Sequence, residues 1–204
     1  MGQGSGSSKS ACGLKAVQLD GTANGAIGVA LDEWTFVGRV GVPIVDEVGP
    51  GVLNGPGGFA TCFARTPMGA VFSGVWMIAS GIDPSIDQVA WVEYSYSESQ
   101  LKAEMIERTR EAMADIDWSG VKAPEVSIWG YRLLDYDGDI AWVDIAVQLM
   151  TKNGQRAHAS WSHRLVWENG DWRLDASFPG DQMTSIQIIA SPQGYWHIGI
   201  NDHG

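Results

Sequence analysis

The stretch LLDYDGDIAWVDIAVQLMTKNGQRAHASWSHRLVWENGDWRL, residues 133–174, decides the fold of this chain. Asp-Gly or Asn-Gly pairs interrupt it at 137–138, 153–154 and 169–170, and each pair separates two runs with strand-like composition. These dipeptides tolerate the positive φ angles that tight hairpin turns require. Their regular spacing predicts a four-stranded antiparallel meander over 125–177.

Side-chain alternation along the strands predicts the register of each hairpin. In the first hairpin, a two-residue turn pairs apolar residues with each other: Val126 with Leu149, Ile128 with Val147, and Leu134 with Ala141. In the second, a three-residue loop over 152–154 with Gly154 as the bulge residue gives better pairing than a two-residue turn. In the third, a two-residue turn pairs Trp167 with Trp172 and Leu165 with Leu174. The predicted inner face comprises Val143, Ile145, Val147, Trp161, His163, Leu165, Trp167, Trp172 and Leu174.

Two helices are predicted before the meander. Thr66 is a suitable N-cap, Pro67 suits the first helical position, and Gly81 can end the helix. The residues between them are apolar on almost every side, which is typical of a buried helix. A second helix is expected near Ser97, which forms a capping box with Gln100. Its apolar stripe comprises Leu101, Met105, Ile106, Ala112, Met113 and Ile116.

The remaining segments complete an α+β arrangement with helices on one face of a curved sheet. Residues 33–45 have strand-like content, although Pro43 restricts them to a sheet edge or a strand end, and residues 49–60 form a loop. Residues 184–196 are expected to form a strand or short helix, followed by a tail. The predicted domain organisation is a flexible Gly/Ser linker at 1–10 and one domain at 11–204, with an irregular or strand extension at 11–65, helices at 66–118 and the antiparallel sheet at 125–190.

Composition excludes several classes of function. The net charge is −11, whereas binding to nucleic acid or to an anionic membrane surface needs basic residues. No apolar run is long enough to span a membrane. The sequence contains no Gly-rich phosphate loop or nucleophile elbow, so no cofactor is predicted. His158 and His163 are an odd number of residues apart and face opposite sides of one strand, so no metal site is predicted either.

Cys12 and Cys62 are the only cysteines, and their local chemistry leaves three alternatives open. They could form a disulfide, remain two buried thiols, or provide a catalytic thiol at Cys62, beside Arg65 and the helix start. The apolar neighbours of Cys62 favour the disulfide over catalysis. Such a bond would close a loop of about 50 residues and contribute about 4 kcal/mol in the chain-entropy model.

Three segments resemble an uncharacterised family of actinobacterial proteins. They are CGLKAVQLDGT (12–22), EWTFVGRVGVPIVDEVGPG (33–51) and CFARTPMGAVFSGVW (62–76), and the resemblance extends over about 12–180. The family signature is matched by Cys12, Gly13, Leu14, Cys62, Phe63, Thr66, Pro67, Gly69 and Ala70. This chain departs from the family pattern at Arg65, where histidine is usual.

The resemblance implies a protein with a short cytoplasmic end, one membrane helix, a Gly/Ser-rich linker and an exported domain. It therefore implies an extracytoplasmic location, an anchoring helix upstream of this chain, and a Cys12–Cys62 disulfide formed in an oxidising compartment. The segment VWENGDWRLD (166–175) is similar to a hairpin of the cystatin-like, nuclear-transport-factor-type cone fold. Periplasmic domains of type IV secretion and conjugation components also use that fold.

The leading functional prediction is therefore a non-enzymatic scaffold or interaction domain that binds protein partners in the cell envelope, with self-association left open. The alternative is a small-molecule-binding or enzymatic cone with a pocket between the first helix and the sheet. Its lining residues would be Trp76, Trp161, His163, Trp167 and Trp172. An enclosed polar cavity around His163 would favour the alternative.

Overall fold

The computed structural model describes residues 10–14, 18, 21, 23–25, 27–29, 33–114, 120–121, 124–151, 153–177 and 184–200. Three predicted features fall wholly or mostly outside these ranges. They are the linker at 1–10, of which only Ser10 is described, Ile116 of the apolar stripe, and residues 201–204 of the predicted tail.

Helices and an antiparallel sheet pack together in the described ranges, which confirms the α+β class. The α-helices are α1 (Pro67–Gly81), α2 (Gln88–Ser95) and α3 (Gln100–Ala114), and a short 3-10 helix covers Pro56–Gly58. The strands are β1 (Ile27–Val29), β2 (Trp34–Val37), β3 (Val40–Pro43), β4 (Val126–Tyr136), β5 (Ile140–Met150), β6 (Arg156–Glu168), β7 (Asp171–Leu174), β8 (Thr184–Ile189) and β9 (Trp196–Ile200).

The main sheet has the strand order β1-β9-β4-β5-β6-β7, and β8 pairs with β6 beside β7. β1 runs parallel to β9, and the other pairs are antiparallel. β2 and β3 form a separate hairpin. The four-stranded meander β4–β7 is therefore confirmed, and strands from both ends of the described chain extend it on either side.

The predicted register is confirmed in two of the three hairpins. β5 pairs with β6 as a three-residue loop requires, with Val143 opposite His163, and Gly154 has φ 74°. β6 pairs with β7 across a two-residue turn in which Asn169 and Gly170 have φ of 54° and 81°. Both positive values explain why an Asn-Gly pair occupies this turn.

The predicted register of the first hairpin is wrong near its turn. Val126 and Ile128 have the predicted partners, but Ala141 pairs with Tyr136 instead of Leu134. Register shifts between Ile128 and Gly130 and between Leu133 and Asp135 each insert one extra residue into β4. Leu134 lies at the second shift and its side chain is 55% exposed. Bulges of this kind turn an apolar residue away from the core.

Helix α1 forms the centre of the core and begins as predicted. Thr66 Oγ1 accepts a hydrogen bond from Gly69 N at 2.9 Å, and Pro67 is the first helical residue. Almost every side chain of α1 is buried, and the helix packs against β3, β4 and β5. The helix therefore lies across the inner face of the sheet.

The second predicted helix begins later than Ser97 and is capped differently. Ser99 Oγ accepts a hydrogen bond from Lys102 N at 3.0 Å, whereas Ser97 Oγ accepts one from Ala176 N at 2.8 Å. Ser97 therefore connects the helices to the end of β7 instead of capping α3. Helix α2 precedes this connection and was not predicted.

The segments predicted only loosely form strands. Residues 33–45 form both strands of the β2–β3 hairpin, and Pro43 ends β3. Residues 184–189 form β8, which confirms the strand alternative for that segment. The segment expected to be a tail instead begins with β9, which pairs with β4 and β1.

Candidate functional site

A disulfide joins Cys12 to Cys62, which confirms this pairing over free thiols and a catalytic cysteine. The S–S distance is 2.00 Å and the Cα atoms are 6.0 Å apart. Cys62 is buried and has a φ of 74°, a region that residues other than glycine rarely adopt. The surrounding contacts explain how the chain holds this conformation.

The Asp171 carboxylate holds the backbone on the carboxyl side of this disulfide. Oδ2 accepts from Cys62 N at 2.7 Å and from the Tyr94 hydroxyl at 2.9 Å. Oδ1 accepts from Phe63 N and Trp172 N, both at 2.9 Å. Burial raises the pKa of the Asp171 carboxyl, and the two backbone N–H groups of Cys62 and Phe63 oppose that rise. Asp171, the first residue of β7, thus accepts hydrogen bonds from three buried donors and one part-buried donor.

The β6–β7 turn and the start of β7 also contact the chain near both cysteines of the disulfide. Gly170 O accepts a hydrogen bond from Ala11 N at 2.7 Å. Trp172 Nε1 donates to Ala64 O at 2.9 Å. We call this arrangement of the disulfide, Asp171 and Trp172 the clasp. It fastens two distant segments of the chain to one end of the sheet.

Arg65 also takes part in this attachment. Arg65 Nε donates to Gly138 O at 2.9 Å, and its guanidinium forms an ion pair with Asp139. The guanidinium lies 5.7 Å from the ring centroid of Trp167. Arg65 therefore links the clasp to the β4–β5 turn.

The loop 49–61 packs directly on the disulfide. Gly51 N donates to Cys62 O at 2.8 Å, and Val52 and Thr61 form an antiparallel bridge. A Cβ atom at Gly51 would lie 2.3 Å from Cys12 Sγ, so only glycine fits against the sulfur. The clasp thereby fixes the position of the loop.

An open groove of about 420 Å³ lies between this loop, the β2–β3 hairpin and the connection that follows α1. We call it the hairpin groove. Two large apolar side chains among its lining residues face solvent: Phe36 is 75% exposed and Leu53 is 48% exposed. The other lining residues are Thr35, Val37, Gly38, Asn54, Gly58, Phe59, Ala60, Trp76, Asp83, Ser85 and Ile86. Exposed apolar side chains beside a concavity are typical of protein interaction sites.

Trp76 connects this groove to the core. Its indole Nε1 donates to Pro43 O at 2.9 Å, which attaches α1 to the end of the β2–β3 hairpin. Trp76 also lines a second, small cavity of about 10 Å³ together with Ser73, Asp171 and Trp172. Ser73 Oγ is buried there and has no hydrogen-bond partner among the described residues. That volume is close to the minimum for one water molecule.

The five residues predicted to line one pocket are divided among several places. Trp76 and Trp172 share the small cavity, whereas Trp161, His163 and Trp167 are not among its lining residues. Trp161 lies beside His163, with ring centroids 6.1 Å apart, and Trp167 packs on Trp172 at 5.3 Å. The structure thus forms two aromatic pairs on neighbouring parts of the inner face.

His163 lies under helix α1 and is almost completely buried. A Cβ atom on Gly74 of α1 would be 3.7 Å from His163 Cδ2 and 3.4 Å from Val143 Cγ1, so the helix packs closely at this point. Neither ring nitrogen of His163 has a hydrogen-bond partner in the described part of the chain. Burial lowers the pKa of His163 to about 4, against a smaller opposing effect of Asp144.

The outer face of the sheet holds a polar cluster that the sequence analysis missed. Asp144 is buried, and its Oδ1 accepts from the Ser160 and Ser162 hydroxyls. Its Oδ2 accepts from Arg132 and from the Tyr195 hydroxyl, the latter at 2.7 Å. Burial tends to raise the pKa of Asp144, but these hydrogen bonds lower it overall.

The only sequence signal for this cluster was an acidic residue in the middle of an apolar strand, in WVDIAV (142–147). Tyr195 comes from the connection between β8 and β9, and it covers Asp144 from a position 51 residues away. The cluster attaches that connection to the sheet. Within the described ranges, no group of three or more His, Cys, Asp or Glu side chains is placed to hold a metal ion.

These features define a class of protein: an α+β domain in which a disulfide clasp supports an open, partly apolar groove. A family model matches residues 2–197, and the chain therefore belongs to the family described as domain of unknown function DUF8175. No curated protein and no solved structure matches the chain. Among the helices of the described residues, none is both long and apolar enough to cross a membrane.

Proposed function

We propose that this chain is a non-enzymatic interaction domain that binds a protein partner through the hairpin groove. The observation that carries the proposal is the exposure of Phe36 and Leu53 on two walls of one groove. Exposed aromatic and aliphatic side chains around a concavity provide the central contacts of many protein interfaces. The clasp supports this role because a preorganised loop loses little conformational entropy on binding.

The proposed setting is the extracytoplasmic side of a membrane, where an upstream helix would anchor the chain through a flexible linker. The Cys12–Cys62 disulfide supports this proposal because disulfides persist in oxidising compartments. An actinobacterial origin and a cystatin-like cone fold belong to the same proposal, which rests on the sequence resemblance. A conjugation or type IV secretion-like assembly is the proposed context of the partner.

The alternative proposal is a small-molecule or catalytic site at His163. Its supporting observation is the pair of unpartnered ring nitrogens in a buried position. The close approach of α1 at Gly74 weighs against it, since the helix occupies the space that a ligand would need. Turnover by the purified domain that is abolished by His163→Ala would replace the interaction proposal with this one.

A pulldown of the anchored full-length protein from its host, compared with two groove variants, tests the interaction proposal. We expect Phe36→Asp and Leu53→Asp each to lose the partner that the wild type retains, because each places a charge in an apolar contact. Leu134→Asp is the matched control, since Leu134 is 55% exposed on β4 and lies outside the groove. Equal partner recovery in all three variants would show that the groove is not the binding site.

The proposed location has its own test in the intact mass of the native protein after alkylation without reductant. We expect no alkylated cysteine in protein taken from its host, because both thiols are oxidised in the clasp. Two alkylated cysteines per chain would refute an oxidising compartment. A membrane-impermeant label on an introduced surface cysteine, applied to whole cells, would then report which side of the membrane carries the domain.

A further inference from the structure

The edges of the main sheet differ in how far other parts of the chain cover them. Residues next to α2 cover the edge of β7, where Tyr96 forms a parallel bridge with Leu174 and Ser97 N donates to Leu174 O at 2.8 Å. β1 pairs with β9 and is the terminal strand on that side of the sheet, but it is only three residues long. β8 pairs with β6 on one side, and no strand in the described part of the chain pairs with its other side. Among the described residues, β8 therefore presents an open sheet edge.

The open edge has an apolar face. Ile186 lies opposite Trp161 and Ile188 opposite Ala159 in the β6–β8 register, so both isoleucines continue the inner face of the sheet. Their side chains are 57% and 72% exposed. Natural proteins usually protect open edges with lysine, proline, a bulge or an inward charge. Strand β8 (Thr184–Ile189) contains neither a charged residue nor a proline, and its register with β6 has no bulge. The free edge of β8 is therefore suited to pairing with another strand.

The distribution of charge along the chain indicates which partner can pair with this edge. No Asp, Glu, Lys or Arg occurs anywhere in residues 184–201, although 18% of the whole chain is charged and its net charge is −11. Two acidic chains repel each other over most of their surface, but they can meet along a segment without charge. The strand is also self-complementary: an antiparallel pair centred on Gln187 places Ile186 of each copy opposite Ile188 of the other.

We propose that two copies of this chain associate by antiparallel pairing of their β8 strands, which makes one continuous sheet across a twofold axis at Gln187. Such an interface is isologous, as in most homodimers. It unites four isoleucine side chains into one apolar patch that neither copy covers alone. The proposal is independent of the hairpin groove and of membrane anchoring, so it stands or falls separately from the proposed function.

Sedimentation of the purified chain over a range of concentrations and salt tests the association. We expect a monomer–dimer equilibrium in which the dimer fraction rises with ionic strength, because salt screens the repulsion between acidic chains. Ile188→Lys should give a monomer at every concentration, and Ile186→Lys should act in the same way. Leu134→Lys is the matched control and should leave the equilibrium unchanged. Circular dichroism and the melting temperature verify that each variant is folded.

A single introduced cysteine tests the position of the axis. The two native cysteines are bonded to each other, so Gln187→Cys would carry the only free thiol. Directly opposed residues of an antiparallel pair have Cβ atoms about 5 Å apart, which allows a bond between the two copies after small adjustment. We expect rapid covalent dimer formation in Gln187→Cys and slow formation in Leu134→Cys.

Three results would overturn the proposal. The first is a wild-type chain that remains monomeric at every concentration. The second is a dimer that survives Ile188→Lys, or one that Phe36→Asp abolishes instead, because either would place the interface elsewhere. The third is equal cross-linking of Gln187→Cys and Leu134→Cys, which would mean random collision.

Discussion

The clasp around Asp171 and the layer around His163 each bury a titratable side chain, but they differ in how its polar atoms are satisfied. Asp171 accepts four hydrogen bonds from three segments of the chain. His163 is covered by α1, and neither of its ring nitrogens has a partner in the described part of the chain. The clasp thus uses buried polarity to fix the backbone, whereas the core layer tolerates a polar ring only in its neutral form.

Removal of the disulfide should have the largest effect on stability, and it tests the clasp side of the comparison. The double variant Cys12→Ala/Cys62→Ala is expected to lose about 4 kcal/mol of unfolding free energy, because the unfolded chain regains the entropy of a loop of about 50 residues. Urea denaturation with and without reductant provides the measurement. Reductant should destabilise the wild type and leave the variant unchanged. A wild type that is insensitive to reductant under unfolding conditions would contradict this prediction.

Acid should weaken the layer around His163. The pKa of this histidine is lowered to about 4 in the folded protein, from an ordinary value of 6.5. Between these values the unfolded chain binds a proton that the folded chain does not, so stability falls as the pH decreases from 6.5 to 4. The loss amounts to about 3 kcal/mol.

His163→Leu should remove this pH dependence while costing little at neutral pH, where the ring nitrogens make no hydrogen bond. Denaturation curves at several pH values between 4 and 7 measure both effects. His158→Leu is the matched control, because it removes a histidine from the opposite face of the same strand. A large loss of stability in His163→Leu at pH 7 would mean that the imidazole has a partner.

Asp171→Asn tests the hydrogen bonds of the clasp without changing side-chain size. An amide nitrogen in place of Oδ2 faces the N–H of Cys62, which loses its acceptor, and the Tyr94 hydroxyl, which must turn to accept from the amide. We expect a loss of about 3 kcal/mol in urea denaturation. Asp46→Asn, at an exposed carboxylate, should change stability by less than about 0.5 kcal/mol. Similar small effects at both positions would show that the clasp does not depend on Asp171.

The meander and the buried helix could be predicted because their signals are local. Asn169-Gly170 occupies a turn with two positive φ angles, and Thr66-Pro67 starts α1 through its own side chain and ring. The β4 register could not be predicted near its turn, because its two bulges, one between Ile128 and Gly130 and one at Leu134, depend on how the strand fits the rest of the fold.

The missed parts of the site depend on contacts between distant segments. Asp144 is an acidic residue in an apolar strand, and its hydrogen bonds with Arg132 and Tyr195 explain its position there. No local sequence pattern indicates these contacts, because the partners come from other segments. In the sequence, Asp171 is simply the residue after an Asn-Gly turn. In the structure it accepts hydrogen bonds from the backbone of Cys62 and Phe63, more than 100 positions away. The sequence resemblance implied the disulfide, but it did not indicate the carboxylate that supports it.

Two glycines of helix α1 allow the tightness of packing at the clasp to be compared with that around His163. A Cβ at Gly69 would lie 1.9 Å from Ala64 O, whose carbonyl also accepts from Trp172, so there the backbone must move. A Cβ at Gly74 would meet Val143 and His163 at 3.4 Å and 3.7 Å, which are ordinary contact distances. Gly69→Ala should therefore destabilise the protein by about 2 kcal/mol.

Gly74→Ala should instead leave stability unchanged or raise it by up to about 1 kcal/mol, since alanine favours the helix more than glycine does. Melting temperatures of the two variants provide the measurement, and each serves as the control for the other because the substitution and the helix are the same. A loss at Gly74 as large as that at Gly69 would mean that the layer around His163 is packed as rigidly as the clasp. The expected difference would locate the rigid end of α1 at the clasp, where the loop of the hairpin groove is attached.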